Sequence, residues 1–442
     1  MEKEGIPVVL ETWNFEDIKG ISNKAFKIEE VPEVREVFTP PDTSLTSLKE
    51  FIPEFIDALT RPLTEKEKKS GKYKPPKRSR ITATGTYREI NEYFEGDLTR
   101  FPPGIAPVAL MTDGLQVTPP TEKLVAEMLA GTSHAPDEIV NPRMGPGELI
   151  ATVEGVAINS VMAGCKPQYM PILLSMAELG ACVGRASDCD FGHMFVVSGP
   201  VAKEVHMNSG FQMLSPGNPA NSSIARACTL MGINLGGCIM GVTTIGRIGA
   251  HIWGLTFAES DDTPWEGLNE DEGYEADDSV LISFGGHLKL LGGCVNEVIP
   301  ETNLFELQNG SPAHLVAALK ASRESRSAIV LFTPDTAKIW KEHYGFTSIQ
   351  QLQDYLYDNV TQTRGEWGSQ YFFYMTSQAA KQNPRGSRMI NPDHLDLPDD
   401  ALVPNIINGT KSIKIIVAGG RGTQWGYGGY NGSSSTLIDK WR

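Results

Sequence analysis

The chain predicts an α/β fold, with a mixed α+β arrangement also open, and three observations carry the prediction. Short apolar runs close on Gly or Pro in the manner of buried strands: HMFVVSGP, SVLISFGG, SAIVLFTPD and SIKIIVAGG. Between them lie segments whose apolar residues recur at helical spacing behind cap-forming residues. The first 85 residues show neither pattern. A length of 442 residues with 40% hydrophobic content suits two or three domains at roughly 150 residues each. The expected organisation is an irregular N-terminal arm over 1–85, a core domain carrying the site loops over 86–300, and a smaller C-terminal α/β domain over 301–442 that ends in a Gly- and aromatic-rich flap.

In the arm, scattered pieces such as FIPEFIDAL precede TEKEKKSGKYKPPKRSR, in which eight of the last fifteen residues are basic. Lysines around a Pro-Pro pair oppose compact burial, so this reads as a solvated arm or linker. An unstructured segment of that length gains order by wrapping a neighbour, which makes a homo-oligomer the expected state.

From about residue 105, APVALMTDGLQVTPPTEKLVAEMLAG reads as a short strand, a turn at Asp113-Gly114, and a helix opening at Pro119-Pro120-Thr121. In GPGELIATVEGVAINSVMAG, Ile150, Val153, Ala157, Val161 and Met162 fall at helical spacing, with Gly164 as the C-terminal cap and Cys165 just beyond it. CKPQYMPILLSMAELG turns through two prolines into another helix. SIARACTLMGINLGG reads as a buried helix starting near Ile224, and ESDDTPWEGLNEDEGYEADDS, with ten acids in twenty-one residues, as a solvated loop. After residue 310, helix PAHLVAALKAS, strand SAIVLFTPD, two further helices and strand SIKIIVAGG follow. No internal repeat is visible.

A formal net charge of -15 repels phosphate backbones and anionic lipid surfaces, so neither nucleic acid nor membrane is expected as a general partner; a small molecule is. The opening residues lack the pattern of a secretory signal, no run approaches the roughly 18 apolar residues of a membrane span, and a cytoplasmic location is expected. Six cysteines without a CxxC pair read as reduced thiols. The eight histidines show neither HxxxH nor HExxH spacing, so no cofactor is expected and a metal ion has no support from spacing.

Two stretches stand out. NSGFQMLSPGNPANSSIARA, residues 208–227, crowds asparagine, serine, glycine and proline ahead of a helix. It offers Asn221, Ser222 and Ser223 as N-cap candidates, with Arg226 one turn inside. Such a loop can bind a carboxylate or phosphate at the positive end of a helix dipole; ordinary turn chemistry for the asparagines is the competing reading. SIKIIVAGGRGTQWGYGGYNGSSS runs a strand into a glycine-rich turn, without the following helix of a dinucleotide fold or the GK[ST] of a P-loop, so a closing flap or subunit contact fits it better. Cys165 beside Lys166 is either a low-pKa nucleophile or a small buried apolar group. No GxSxG string indicates a serine hydrolase.

Several strings together, TDGLQVTPPT, EGVAINSVMAGCKPQYMP, the NSG…PGNPANSSIARA stretch, AESDDTPWE and IIVAGGRG, resemble the bacterial UGSC-like family. The resemblance spans residues 105–422. It implies characteristic roles for Asp113, Glu154, Asn159, Cys165, Asn208, Ser209, Gly217, Asn221, Arg226, Glu259, Trp265 and Glu266. Neither UGSC nor CGSC occurs in the chain, so the redox chemistry of that motif does not carry over. GRIGAHIWGLTF also replaces a segment that differs in relatives.

The combined expectation is an enzyme, hydrolase or lyase, that treats a small anionic molecule by acid–base or nucleophilic chemistry. Cys165, Glu259 and Glu266 are the catalytic candidates. Asp113, Asn208, Ser209, Gly217, Asn221, Arg226 and Trp265 are the substrate-binding ones, with Arg226 as anion clamp. A thiol-dependent redox enzyme using Cys165 and a non-catalytic ligand-binding or scaffold subunit are the alternatives.

Overall fold

The structure is a computed structural model. It describes residues 9–12, 35–38, 47–62, 80–96, 111–147, 149–180, 192–238, 255–286, 289–293, 303–321, 327–368, 394, 396–406 and 408–442. The basic tract at 63–79, the strand expected at 106–110, most of GRIGAHIWGLTF and Cys182, Cys189 and Cys294 lie outside them.

The expected α/β class is what the chain adopts. In the N-terminal region a parallel pair joins β1 (Val9–Thr12) to β2 (Arg35–Phe38), and α1 (Ile52–Thr60) follows. These are short elements separated by long stretches outside the described residues, consistent with the extended N-terminal arm expected from the sequence. A reciprocal cap between Thr86 and Glu89 opens α2 (Tyr87–Glu95). Next come α3 (Glu122–Leu129), capped by Thr121, the hairpin β3 (Ile139–Met144) and β4 (Leu149–Thr152), α4 (Val153–Ala163) and α5 (Met170–Glu178). Gly164 ends α4 in the left-handed conformation, at φ 80°, as the sequence implies.

Two four-stranded sheets form the centre. The first contains β5 (Gly192–Ser198), β6 (Leu255–Ala258) and β7 (Val280–Gly286), joined by α6 (Val201–Glu204), α7 (Pro219–Asn234) and α8 (Leu268–Asp271). After β8 (Lys289–Gly293) come α9 (Leu304–Asn309), α10 (Pro312–Ala321), β9 (Ser327–Phe332), α11 (Pro334–Glu342) and α12 (Ile349–Asn359). A small hairpin, β10 (Thr361–Thr363) and β11 (Leu402–Pro404), flanks α13 (Arg364–Gly368). Strands β12 (Ile413–Val417), β13 (Trp425–Tyr430) and β14 (Gly432–Leu437) complete the second sheet and return to the first.

Strand order is β14-β7-β5-β6 in one sheet and β8-β13-β9-β12 in the other. Each has the same grammar: a parallel pair (β5 with β6, β9 with β12), then two antiparallel neighbours. The chain thus repeats one topology twice and exchanges a strand between the copies. That repetition leaves no sequence period, and the expectation of no internal repeat holds only at the level of letters. Residues 280–285 pair antiparallel with 432–437 in the first sheet and residues 289–293 with 425–429 in the second, from Val280 opposite Leu437 to Gly293 opposite Trp425. The glycine-rich C-terminal stretch, expected as a flap, is therefore strand-paired: β13 lies inside the second sheet and β14 at the edge of the first. A ribbon that must coil sharply while remaining paired favours residues without side chains.

Alternation sorts the side chains into layers. On the first sheet Phe195 and Val197 face helices α3, α4, α5 and α7, while Met194, Val196, Ile282 and Phe284 face Ile329, Ile416 and Tyr430 of the second. On the second sheet Ala328, Val330, Phe332, Ile413 and Ile415 face α10, α11 and α12. The architecture is a helix–sheet–sheet–helix sandwich with three apolar layers. Strands β5 and β12 are buried along their whole length because both faces are covered. No helix among the described residues is long and apolar enough to cross a membrane.

Candidate functional site

Ligands of open α/β sheets settle at the carboxyl ends of parallel strands, where the chain leaves the sheet in diverging directions. In the second sheet those ends belong to β9 and β12. The loop after β12, Ala418-Gly419-Gly420-Arg421-Gly422, meets the middle of the asparagine-rich stretch there: the Gly419 N–H donates to the Ser209 carbonyl at 2.7 Å. Between the two loops lies a cavity of about 440 Å3, lined by residues 210–215, Leu331, Thr333 and residues 418–426. The two oddest passages of the sequence are its walls.

Each wall is pinned from behind. Asn221, only 4% exposed, accepts a hydrogen bond from the Asn208 N–H at 3.0 Å and donates to the carbonyls of Asn208 (3.0 Å) and Met213 (3.1 Å). The Asn208 carbonyl also accepts from Ala258, so the loop is tied to the end of β6. Asn208 closes its own turn, its side chain accepting from Gly210 and donating to the Phe211 carbonyl. Across the cavity, Thr333 and Thr336 exchange hydrogen bonds with the Gln424 backbone, and Asp335 accepts from the Gly422 N–H at 2.6 Å. Gln212 holds a left-handed conformation at φ 59°, unusual for a residue with a Cβ and a sign of a loop fixed by its surroundings.

This geometry corrects the expected anion clamp. Helix α7 begins at Pro219, not near Ile224, and its N-cap is Asn218, whose side chain accepts from the Asn221 N–H at 2.9 Å. Asn221 lies inside the first turn as a loop tie. Arg226 is held bidentately by Asp113, at 2.8 and 3.0 Å, and donates to the Gln116 carbonyl at 2.8 Å. With the Asp113 side chain only 1% exposed, the pair braces α7 against the turn at 113–116, and neither partner is free for a ligand. The asparagines do turn chemistry. Gly217, at φ 128°, supplies a conformation that L side chains rarely adopt.

None of the expected catalytic groups lines the cavity. Cys165 is 9% exposed, donates to the Ser223 carbonyl at 3.2 Å, and burial pushes its thiol up to about 12, which holds it protonated. Glu266 is half-buried beside Trp265, and Trp265 donates to the Phe346 carbonyl at 2.7 Å while packing near Phe332 in the layer under α11. Glu154 accepts from Arg80, and Asn159 accepts from Asn234. None of these lines the cavity.

Glu259 has a different meaning. It follows β6 as Ala418 follows β12: the Glu259 N–H donates to the Val197 carbonyl at 2.9 Å and the Ala418 N–H to the Phe332 carbonyl at 2.8 Å. The two positions correspond in the repeated topology. In the first copy the carboxyl fills the strand ends, bonded by the Ser198 hydroxyl (2.6 Å) and the Leu268 N–H (2.9 Å), and burial raises its pKa to about 7. In the second copy an alanine stands there, and space remains.

Sequence reading missed the residues that face that space: Phe211, Gln212, Leu214 and Arg421. Arg421 stands in the glycine-rich turn Gly419-Gly420-Arg421-Gly422, where local pattern does not distinguish it from a surface arginine. It is exposed and has no ion-pair partner among the described residues. Among the described residues no group of three or more His, Cys, Asp or Glu side chains is placed to hold a metal ion. No family model matches the chain, and no curated protein matches it.

Proposed function

We propose that the protein binds a small anionic molecule in the cavity between the 209–215 loop and the 418–424 loop. The observation that carries this reading is Arg421. It is the one cationic side chain lining the cavity, and no carboxylate neutralises it among the described residues. A guanidinium at a cavity mouth offers a carboxylate or phosphoryl oxygen paired donors in a fixed plane. Around it, glycine backbone and the amides of Gln212 and Gln424 supply further polar groups, and Leu331, Met213 and Leu214 supply apolar wall. This is the mixture typical of small-molecule sites.

The reading keeps the small anionic substrate expected from the sequence and moves its recognition from Arg226 to Arg421. It favours the ligand-binding alternative over hydrolase, lyase or thiol redox chemistry. Cys165 is protonated and enclosed, and Glu259 is saturated by hydrogen bonds away from the cavity. The UGSC-like resemblance remains part of the proposal, with the PGNPAN string as the scaffold of the binding loop rather than as the ligand contact. Mass spectrometry of small molecules released from wild type and from Arg421→Gln tests it. The expected result is an organic acid or phosphate retained by the wild type and lost from the variant. Equal retention by both removes the proposal.

A further inference from the structure

We propose that the ligand class is an aryl carboxylate, an apolar-bodied monoanion rather than a phosphate ester; this rests on the reading of the cavity as an anion site. The first observation is the disposition of Phe211. Its ring lies on the Gly420 backbone so closely that a Cβ at Gly420 would fall 2.2 Å from Cδ1 and 2.4 Å from Cε1, yet the residue is 68% exposed. One side of the ring is thus covered by glycine and much of the rest is open at the mouth of the cavity. Leu214, 40% exposed, lines the same cavity on the same loop. Large apolar groups left open at the mouth of a lined cavity mark where the apolar body of a ligand rests, and an aromatic ring offers both edge and face to another ring.

The second observation is independent and concerns charge. The place a phosphate would take in this fold is the N-terminus of α11, which follows β9 and adjoins the glycine loop. Asp335, in the first turn of that helix, already places a carboxylate beside the glycine loop, where it accepts from the Gly422 N–H at 2.6 Å. A phosphate dianion would meet this carboxylate with a single guanidinium to offset both. A carboxylate brings one charge for one guanidinium and stays at the mouth. The cavity volume of about 440 Å3 lies in the range of small-ligand sites, roughly 300–1,000 Å3, and accommodates one aromatic ring with a short acidic side chain.

The test is calorimetric titration of the full chain with phenylacetate, 3-phenylpropanoate, 2-phenylethanol and inorganic phosphate. Binding by the two aryl carboxylates is expected, with 2-phenylethanol and phosphate about ten-fold weaker or more. Arg421→Gln should weaken carboxylate binding by about ten-fold, and Phe211→Ser by about five-fold, with melting temperatures close to wild type because both side chains are exposed. Phosphate binding that requires Arg421, with the aryl carboxylates silent, overturns the ligand class and leaves the anion site standing. Failure of every anion to bind in an Arg421-dependent way overturns both. Carboxylate binding that Phe211→Ser leaves unchanged removes the aryl part of the proposal.

Discussion

Replacing Glu259 by Gln should make the protein more stable at alkaline pH and leave it almost unchanged in mild acid. The carboxyl is largely withdrawn from solvent and its pKa rises from 4.5 to about 7, with desolvation the largest cause and nearby Asp261 and Asp271 adding to it. A carboxyl whose folded pKa is raised favours the folded state while protonated, so its contribution is whole below about 4.5 and is lost as pH climbs to about 7. At about 1.36 kcal/mol per unit, that window is worth about 3 kcal/mol. The protonated group can donate to the Ser198 hydroxyl, which can in turn donate to the Asn269 side-chain carbonyl, while Leu268 donates to the other oxygen. Gln reproduces this pattern with its amide and never ionises. A chain of 442 residues has an unfolding entropy of about 0.9 kcal/mol per kelvin, so the variant should melt about 3 °C above wild type at pH 8 and within about 1 °C of it at pH 5. Scanning calorimetry of both proteins across pH 5 to 8.5 measures this directly. Parallel profiles for the two, or a variant less stable than wild type at pH 8, would refute the buried, late-titrating carboxyl.

Three other substitutions separate brace, loop tie and mouth. Arg226→Ala should cost about 3–5 kcal/mol by removing the bidentate guanidinium from the buried Asp113 carboxylate, visible as a lower melting temperature, while anion affinity in the folded fraction stays at the wild-type value. Asn221→Ala should cost about 1–3 kcal/mol, because it strips partners from the Asn208 and Met213 backbone; faster amide exchange at residues 208–213 would report the loosened loop. Gly420→Ala should leave stability nearly unchanged yet alter ligand affinity, since its Cβ displaces an exposed ring; unchanged titration curves would show that Phe211 does not shape the mouth.

Much of the fold was legible wherever one rule acts locally. Strands β5, β7, β9 and β12 follow from apolar runs closed by Gly or Pro, and the caps at Thr121 and Gly164 lie where the cap residues indicated. What escaped is non-local. Pairing of 280–285 and 289–293 with 432–437 and 425–429 joins segments some 140 residues apart, and the glycines in WGYGGY carry no sign of a partner, so a paired ribbon looked like a flap. Asn221 shows the same limit within the site. A polar residue near a helix start is a cap by local rules, and only the fold reveals that Asn218 caps the helix while Asn221 is turned inward on the loop. Arg226 read as available charge because Asp113, its partner, is 113 residues away.

The duplication explains why the site sits where it does. Two copies of one topology place two sets of parallel strand ends in the molecule. Glu259 occupies its cleft and is closed over by Ser198, Leu268 and Asn269, which turns that end into structure with a buried titratable group. At the corresponding Ala418 the side chain is a methyl group, the following residues are glycines, and the strand ends stay open beneath Phe211 and Arg421. The acidic group that drew attention as a general base is, on this account, what fills the cleft that is not used. The ligand recognition proposed above is assigned to the copy that lacks it. Residues contributed by the first copy still enter that second cleft, because the 208–215 loop leaves the first sheet and crosses to Gly419. The cavity is thus built from both halves, and neither copy alone would form it.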